Sequence, residues 1–310
     1  MKKQFRLLGV AILALGLFFS SCKKDSSGTN EAEEFKVQSD DQSRFSNETD
    51  EVTTDAVTAV ENMGGSYNGE TPLSPLLPSI CNTTVTIDTV SVPRKITITY
   101  NGLNCAGTRI RTGNVVISFA PGFRWNQPNA QYSVAYQNLK ITRVLDNKSI
   151  TINGEKTIKN VTGGRLRNLA TSGTSVVHEI TSSGMSITFD NGTVRSWQLA
   201  RRRTFSYNNG IVTTVEGIAP QGGGVAEWGT TRFGAEFTNS ITQPLVFKQS
   251  CNFRLVSGQT THVRGGRSSV VTFGLDASGN PITDCPSGPF YYKLVYTGLN
   301  GNSITVIAPY

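Results

Sequence analysis

The stretch Lys95-Ile96-Thr97-Ile98-Thr99-Tyr100 alternates polar and apolar residues at a period of two, and its four central positions are β-branched. That period sends alternate side chains to opposite faces of a strand, and β-branched residues suit the pleated surface. The pattern continues outward from it. Residues 83–90 precede it. After it come 109–119, 132–144, 149–161, 175–180, 185–189, 194–207, 211–218, 232–241, 245–249, 269–275, 291–297 and 303–307, all of which read as strands. Asp190-Asn191-Gly192, Asn208-Asn209-Gly210, Asn153-Gly154 and Ser278-Gly279-Asn280 supply turn chemistry. The expectation is an all-β body, a large antiparallel sheet or sandwich of about 14 strands, preceded by a short acidic helix. Composition agrees: 37% hydrophobic and 16% charged residues with 31 glycines suit short strands and many turns, not a helical bundle or a membrane protein.

The N-terminus has another character. Lys2, Lys3 and Arg6 precede an apolar run, residues 7–19, followed by Ser20, Ser21 and Cys22. As a helix the run would span ~20 Å against a ~30 Å hydrocarbon core, so it reads as a secretory signal, not a membrane anchor. A cysteine after two small residues resembles the bacterial lipobox, which implies that Cys22 becomes the lipid-modified first residue of the mature chain. Lys23-Lys24-Asp25 looks like the sequence after that cysteine in many lipoproteins of Bacteroidota. Asp does not stand directly after Cys22, which favours the outer membrane. The expected division is a signal peptide at 1–21, a lipidated tether and acidic amphipathic helix at 22–75, and a β body at 76–310. The membrane partner is reached through the lipid, from the periplasmic or the surface-exposed side.

The net charge of +7 hides a split. Residues 23–75 carry twelve acidic and four basic side chains, whereas residues 76–310 carry ten acidic and twenty-two basic. Residues 23–34 have the composition of a disordered tether. Residues 40–63 have helical spacing, with Phe45, Val52, Ala56, Val60 and Met63 on one stripe, acids on the other faces and Gly64-Gly65 as the stop.

With Cys22 acylated, Cys81, Cys105, Cys251 and Cys285 remain, an even number that suggests two disulfides in an exported chain. Cys81 and Cys105 are equidistant from Pro93, at the open ends of a hairpin. Cys251 and Cys285 flank the turn Arg264-Gly265-Gly266-Arg267 in a similar way. This favours Cys81–Cys105 and Cys251–Cys285 as staples of a weak internal duplication. Zinc is the rival, but there is no close cysteine pair and only His178 and His262 could assist. No metal or other cofactor is implied.

Residues 95–100, Cys105, Gly107 and the run Thr108-Arg109-Ile110-Arg111-Thr112-Gly113 before Val115-Val116-Ile117 resemble a group of uncharacterised β-rich lipoproteins of Bacteroidota. Ser196-Trp197, Arg201, Arg203, Phe205 and the late cysteines fit the same group, while the loop after Cys105 is shorter than its pattern. The resemblance implies a secreted β-rich lipoprotein and brings no activity and no catalytic residues.

Catalytic patterns are missing from the sequence. There is no Gly-x-Ser-x-Gly elbow, His-Glu-x-x-His pair or phosphate loop, and the acids of the body, such as Glu155, Glu179, Glu216, Glu227 and Glu236, are scattered. Asp146, Asp190 and Asp276 look committed to turns. Arginines are the unusual feature: Arg195, Trp197, Leu199, Arg201, Arg203 and Phe205 alternate onto one strand face. That face reads as a solvated sheet surface, as the dock for the acidic helix, or as a site for acidic polysaccharide or another polyanion. A docked helix would act as an internal competitor for such ligands. Trp125 reads as a hairpin tip folded back on the sheet or as a sugar-stacking platform. The expected function is a non-enzymatic binding or structural component of the envelope. A glycan-processing enzyme would instead need two carboxylates in a cleft, and a lipid carrier would need an apolar cavity.

Overall fold

The computed structural model describes residues 26–66 and 80–310; the signal at 1–21, Cys22 and residues 67–79 lie outside them. The chain divides into two units, Met1–Gln42 and Ser43–Tyr310. Among its described residues the second unit holds fourteen strands: β1 (Thr83–Asp88), β2 (Arg94–Leu103), β3 (Arg109–Phe119), β4 (Ala130–Arg143), β5 (Ser149–Asn160), β6 (Val176–Phe189), β7 (Val194–Tyr207), β8 (Ile211–Gly217), β9 (Val225–Thr230), β10 (Glu236–Lys248), β11 (Arg254–Arg264), β12 (Arg267–Leu275), β13 (Tyr291–Thr297) and β14 (Ser303–Pro309). They form one antiparallel sheet rather than a sandwich, and sequence neighbours are sheet neighbours almost throughout. One lane is shared. β8 pairs with the last part of β7 and β9 with its middle, and β10 pairs with both, so the two short strands lie end to end between β7 and β10.

Two adjustments to the expected strands explain the unchanged count. The 175–180 and 185–189 runs join into β6, and 232–241 and 245–249 join into β10, while β9 and β11 are additional. Val225-Ala226-Glu227-Trp228 lacks a period-two pattern, and β11 is polar with a central Gly258, so neither advertises itself. Asn153-Gly154 is not a turn: it is a bulge within β5. That bulge lies in a line with register breaks at Thr112/Asn114 in β3, Tyr136/Leu139 in β4 and Thr181/Met185 in β6. Bulges bend a strand and increase its local twist, so a row of them across four strands curls the sheet. Gly154 is required there: φ is +122°, and a Cβ would stand 2.7 Å from Met185 Cα.

Helix α1 spans Ser26–Ser66, and its part from Ser43 onward, which belongs to the sheet's unit, lies in the trough made by this curl. It touches Tyr100 on β2 and Arg201 on β7. In a flat sheet those strands would be about 24 Å apart, at ~4.8 Å per step, whereas a helix is only about 10–12 Å across. The sheet therefore wraps the helix. Phe45, Val52, Ala56 and Val60 join Ile96, Ile98, Val115, Ile117, Leu139 and Trp197 in one core.

Three features of α1 differ from expectation. It is helical from Ser26, across residues assigned to a disordered tether, where Glu31-Ala32-Glu33-Glu34 are good helix formers. It also runs through Gly64-Gly65 to Ser66, because glycine weakens a helix without compelling a stop. Several of its acids are enclosed: Glu48, Asp55 and Glu61 are buried with the apolar stripe, the first two against the arginines of β3 and Glu61 against the Trp125 indole and the Leu166 backbone N–H.

Candidate functional site

All five residues singled out as possible ligand contacts face inward. Arg195 and Trp197 are fully buried, with Arg195 stacked over the Phe237 ring at 4.2 Å and Trp197 packed against Phe45. Arg201 donates to both Asp50 carboxylate oxygens at 2.8 Å and pairs with the fully buried Glu227. Arg203 reaches Asp50 at 2.7 Å. The stripe on β7 is thus the dock for the helix and not a solvated face. Trp125 is folded back and buried, with its indole N–H donating to Glu61 at 3.1 Å, so it offers no open stacking platform.

The ionic layer between helix and sheet extends beyond β7. Arg109 donates to Glu48 at 2.6 Å. Arg111 donates to Asp55 at 3.1 Å and pairs with Glu51, and Tyr100 donates to Asp55 at 2.8 Å. Lys156 donates to Thr49 O and Thr53 Oγ1, both at 3.3 Å. Burial pushes the Asp55 carboxyl up to about 6, against the hydrogen bond from Tyr100 and the charge of Arg111. Burial likewise raises Glu48 and Glu61. It would raise Asp50 too, but Arg201 and Arg203 outweigh it and hold that carboxyl below its ordinary value. His178 is enclosed by Trp125 and Phe205, with ring centroids at 4.9 and 5.0 Å, and burial lowers it to about 3. Glu179, its neighbour in sequence, points to the other face and pairs with Arg202.

Both cysteine pairings lie at disulfide distance. Cα atoms are 5.2 Å apart for Cys81 and Cys105 and 5.4 Å for Cys251 and Cys285, joining the ends of the β1–β2 hairpin and bracing the β11–β12 hairpin. Among the described residues no group of three His, Cys, Asp or Glu side chains could hold a metal ion. Asp146 and Asp276 accept hydrogen bonds from turn backbone, at Lys148 and at Ser278 and Asn280.

The helix does not fill the whole trough. Beside it, between its outward stripe and the inner faces of β7, β8 and β10, lies a cavity of about 350 Å³. Phe205, Ile211, Val215, Phe247, Phe253 and Leu166 give it apolar walls. Asp50, Glu51, Thr54, Thr213 and Arg203 complete the lining. Sequence reading placed Phe205 and Arg203 but not the cavity. Ile211, Thr213 and Val215 share a strand face by period, yet nothing in the sequence says that the helix stops short of them. A shallower groove of about 450 Å³ runs past Trp228, Thr230 and Glu236.

Comparison with protein-family models, curated proteins and solved structures finds no match to this chain. Fold and site together define the class directly: a single antiparallel sheet curled over an internal acidic helix, with an apolar cavity left beside it.

Proposed function

We propose that this chain is a lipid-anchored protein of the cell envelope, on its periplasmic or outer side, that binds a ligand without transforming it. One observation carries the binding role: the 350 Å³ cavity with apolar walls and a few polar groups on one side. Ligand sites are typically concavities of ~300–1,000 Å³ built in that manner. Polyanion binding at the β7 stripe is less well supported, because a polymer would have to displace the helix carboxylates from Arg201 and Arg203. Anchoring rests on the signal-like N-terminus and Cys22, and the two cysteine pairs suit an exported chain.

Titration of the purified mature chain with Nile red, a neutral apolar dye, tests the cavity. Saturable binding is expected, weakened at least tenfold by Phe253→Asp, which alters a half-exposed wall residue and so spares the fold. Heparin binding at low salt without dye binding would overturn the reading. For the anchor, Cys22→Ser should move the protein from the membrane to the soluble fraction.

A further inference from the structure

The polar wall of the cavity is asymmetric in charge. Asp50 and Glu51 expose 37% and 41% of their side chains, whereas their cationic partners expose far less, Arg111 5%, Arg201 8% and Arg203, which also lines the cavity, 10%. The ion pairs are balanced as a layer, yet the charged surface offered to the cavity and to water is mainly carboxylate. Neither acid is saturated. A carboxylate has about four lone-pair sites. Asp50 accepts from Arg201 on both oxygens and from Arg203 on one, while Glu51 accepts from Asn104 at 3.2 Å and pairs with Arg111. Each can accept one more donor from the open side. The sheet contributes Phe205, Ile211, Val215 and Phe247 to the same lining together with Thr213, and the helix adds Thr54, whose hydroxyl donates to Asp50 O at 2.9 Å.

From this arrangement, and resting on the binding role proposed above, we infer that the cavity takes a single-chain amphiphile with a cationic head: an alkyl chain along the β7–β8–β10 wall and an ammonium group beside Asp50 and Glu51. A volume of 350 Å³ lies at the small end of ligand sites, which suits one chain better than two. An anionic head would meet two exposed carboxylates, and the one guanidinium in the lining, that of Arg203, is already paired with Asp50. A neutral hydroxyl head could donate to the same carboxylates but would bring no charge to them. The same face excludes the acidic polymers that the basic composition of the body suggests.

Displacement of bound Nile red from the mature chain at pH 7.5 tests this, with dodecylamine, dodecanol and dodecanoate below their micelle concentrations. Dodecylamine should displace the dye at a concentration at least tenfold lower than dodecanol, and dodecanoate should be the weakest. Added salt should weaken the amine and leave the alcohol unchanged. Glu51→Gln should narrow the amine advantage several-fold with a much smaller change for dodecanol, whose retained binding also reports whether that variant keeps its fold. Phosphatidylcholine vesicles doped with octadecylamine separate the two sources. Displacement by vesicles assigns a bilayer-borne amine and displacement by dodecylamine alone a soluble one; both uphold the inference. Dye binding with no preference for the amine, or with dodecanoate equal to it, overturns the inference while leaving the cavity a binding site. Absence of dye binding overturns the cavity reading itself.

Discussion

Strands β2–β7 and β11–β14 share one sheet and a similar supply of β-branched and aromatic residues, yet they end in different states. In the first group Ile96, Ile98, Val115, Ile117, Ile152 and Trp197 are fully enclosed, because α1 lies on the face they share. In the second, no residue of β13 or β14 is fully buried, and Ile304 is 62% exposed. Alternation decides which face of a strand is apolar. Whether that face becomes core depends on what covers it. The apolar cavity lies at the boundary between the two regimes, where the helix ends its cover and the sheet continues.

The comparison can be tested by substitution. Trp197→Ala should cost about 3–5 kcal/mol in chemical denaturation, since the side chain is fully enclosed between helix and sheet. A loss below about 1 kcal/mol would mean that the helix does not pack there. Glu227→Gln should cost a similar or slightly smaller amount, about 3 kcal/mol, by leaving Arg201 with half its partners in a buried site. Removing Cys81–Cys105 by double serine substitution should cost about 3 kcal/mol, and removing Cys251–Cys285 slightly more for its longer loop. Peptide mapping without reductant should show those two pairs; crossed pairs would remove the hairpin argument.

Acidification gives a smaller, graded effect. Burial depresses His178 to about 3 and His262 to about 4, so between these values and about 6.5 the unfolded chain binds more protons than the native one. Stability should therefore fall as pH drops through that window, by up to about 1.4 kcal/mol per pH unit for each histidine. Asp55, raised to about 6, acts in the opposite sense between about 4 and 6, where the native state holds the extra proton, and it offsets part of the loss. His178→Phe should flatten the profile in urea melts at pH 6.5 and pH 4.5; an unchanged slope would show that His178 meets water in the native state. The smallest effect belongs to the uncovered region, where Ile304→Ala should shift stability by no more than about 0.5 kcal/mol.

Much of the sheet was legible in the sequence because its information is local. The strand 194–207 and the turns at Asp190-Asn191-Gly192 and Asn208-Asn209-Gly210 are read from adjacent residues, and the structure places β7 and its turns there. The equal spacing of Cys81 and Cys105 about Pro93 likewise reads as a hairpin. What escaped was non-local. Nothing near Glu227 announces that it meets Ser46 and Arg201, and the period of α1 shows a single apolar stripe although nearly every face is enclosed. Charge complementarity between residues 23–75 and the β7 stripe was a long-range signal, and of the three readings it left open the dock is the one that the pairing of Asp50 with Arg201 and Arg203 matches. Its corollary of a removable acidic cover does not follow. Phe45, Val52, Ala56 and Val60 belong to the main core, so deleting residues 40–63 would empty the trough instead of unmasking a basic face.

The position of α1 in the chain also bears on how the molecule assembles. Hairpin pairings join neighbours in sequence and close short loops, so the sheet can grow strand by strand at little entropic cost. Helix contacts are of another kind: Ser46 and Glu227 are separated by 181 residues, and Arg201 and Asp50 by 151. The segment made first must wait for strands made much later. The helix contacts thus close far longer loops than the hairpins do, and they are made in the trough that the row of bulges at Gly154 bends.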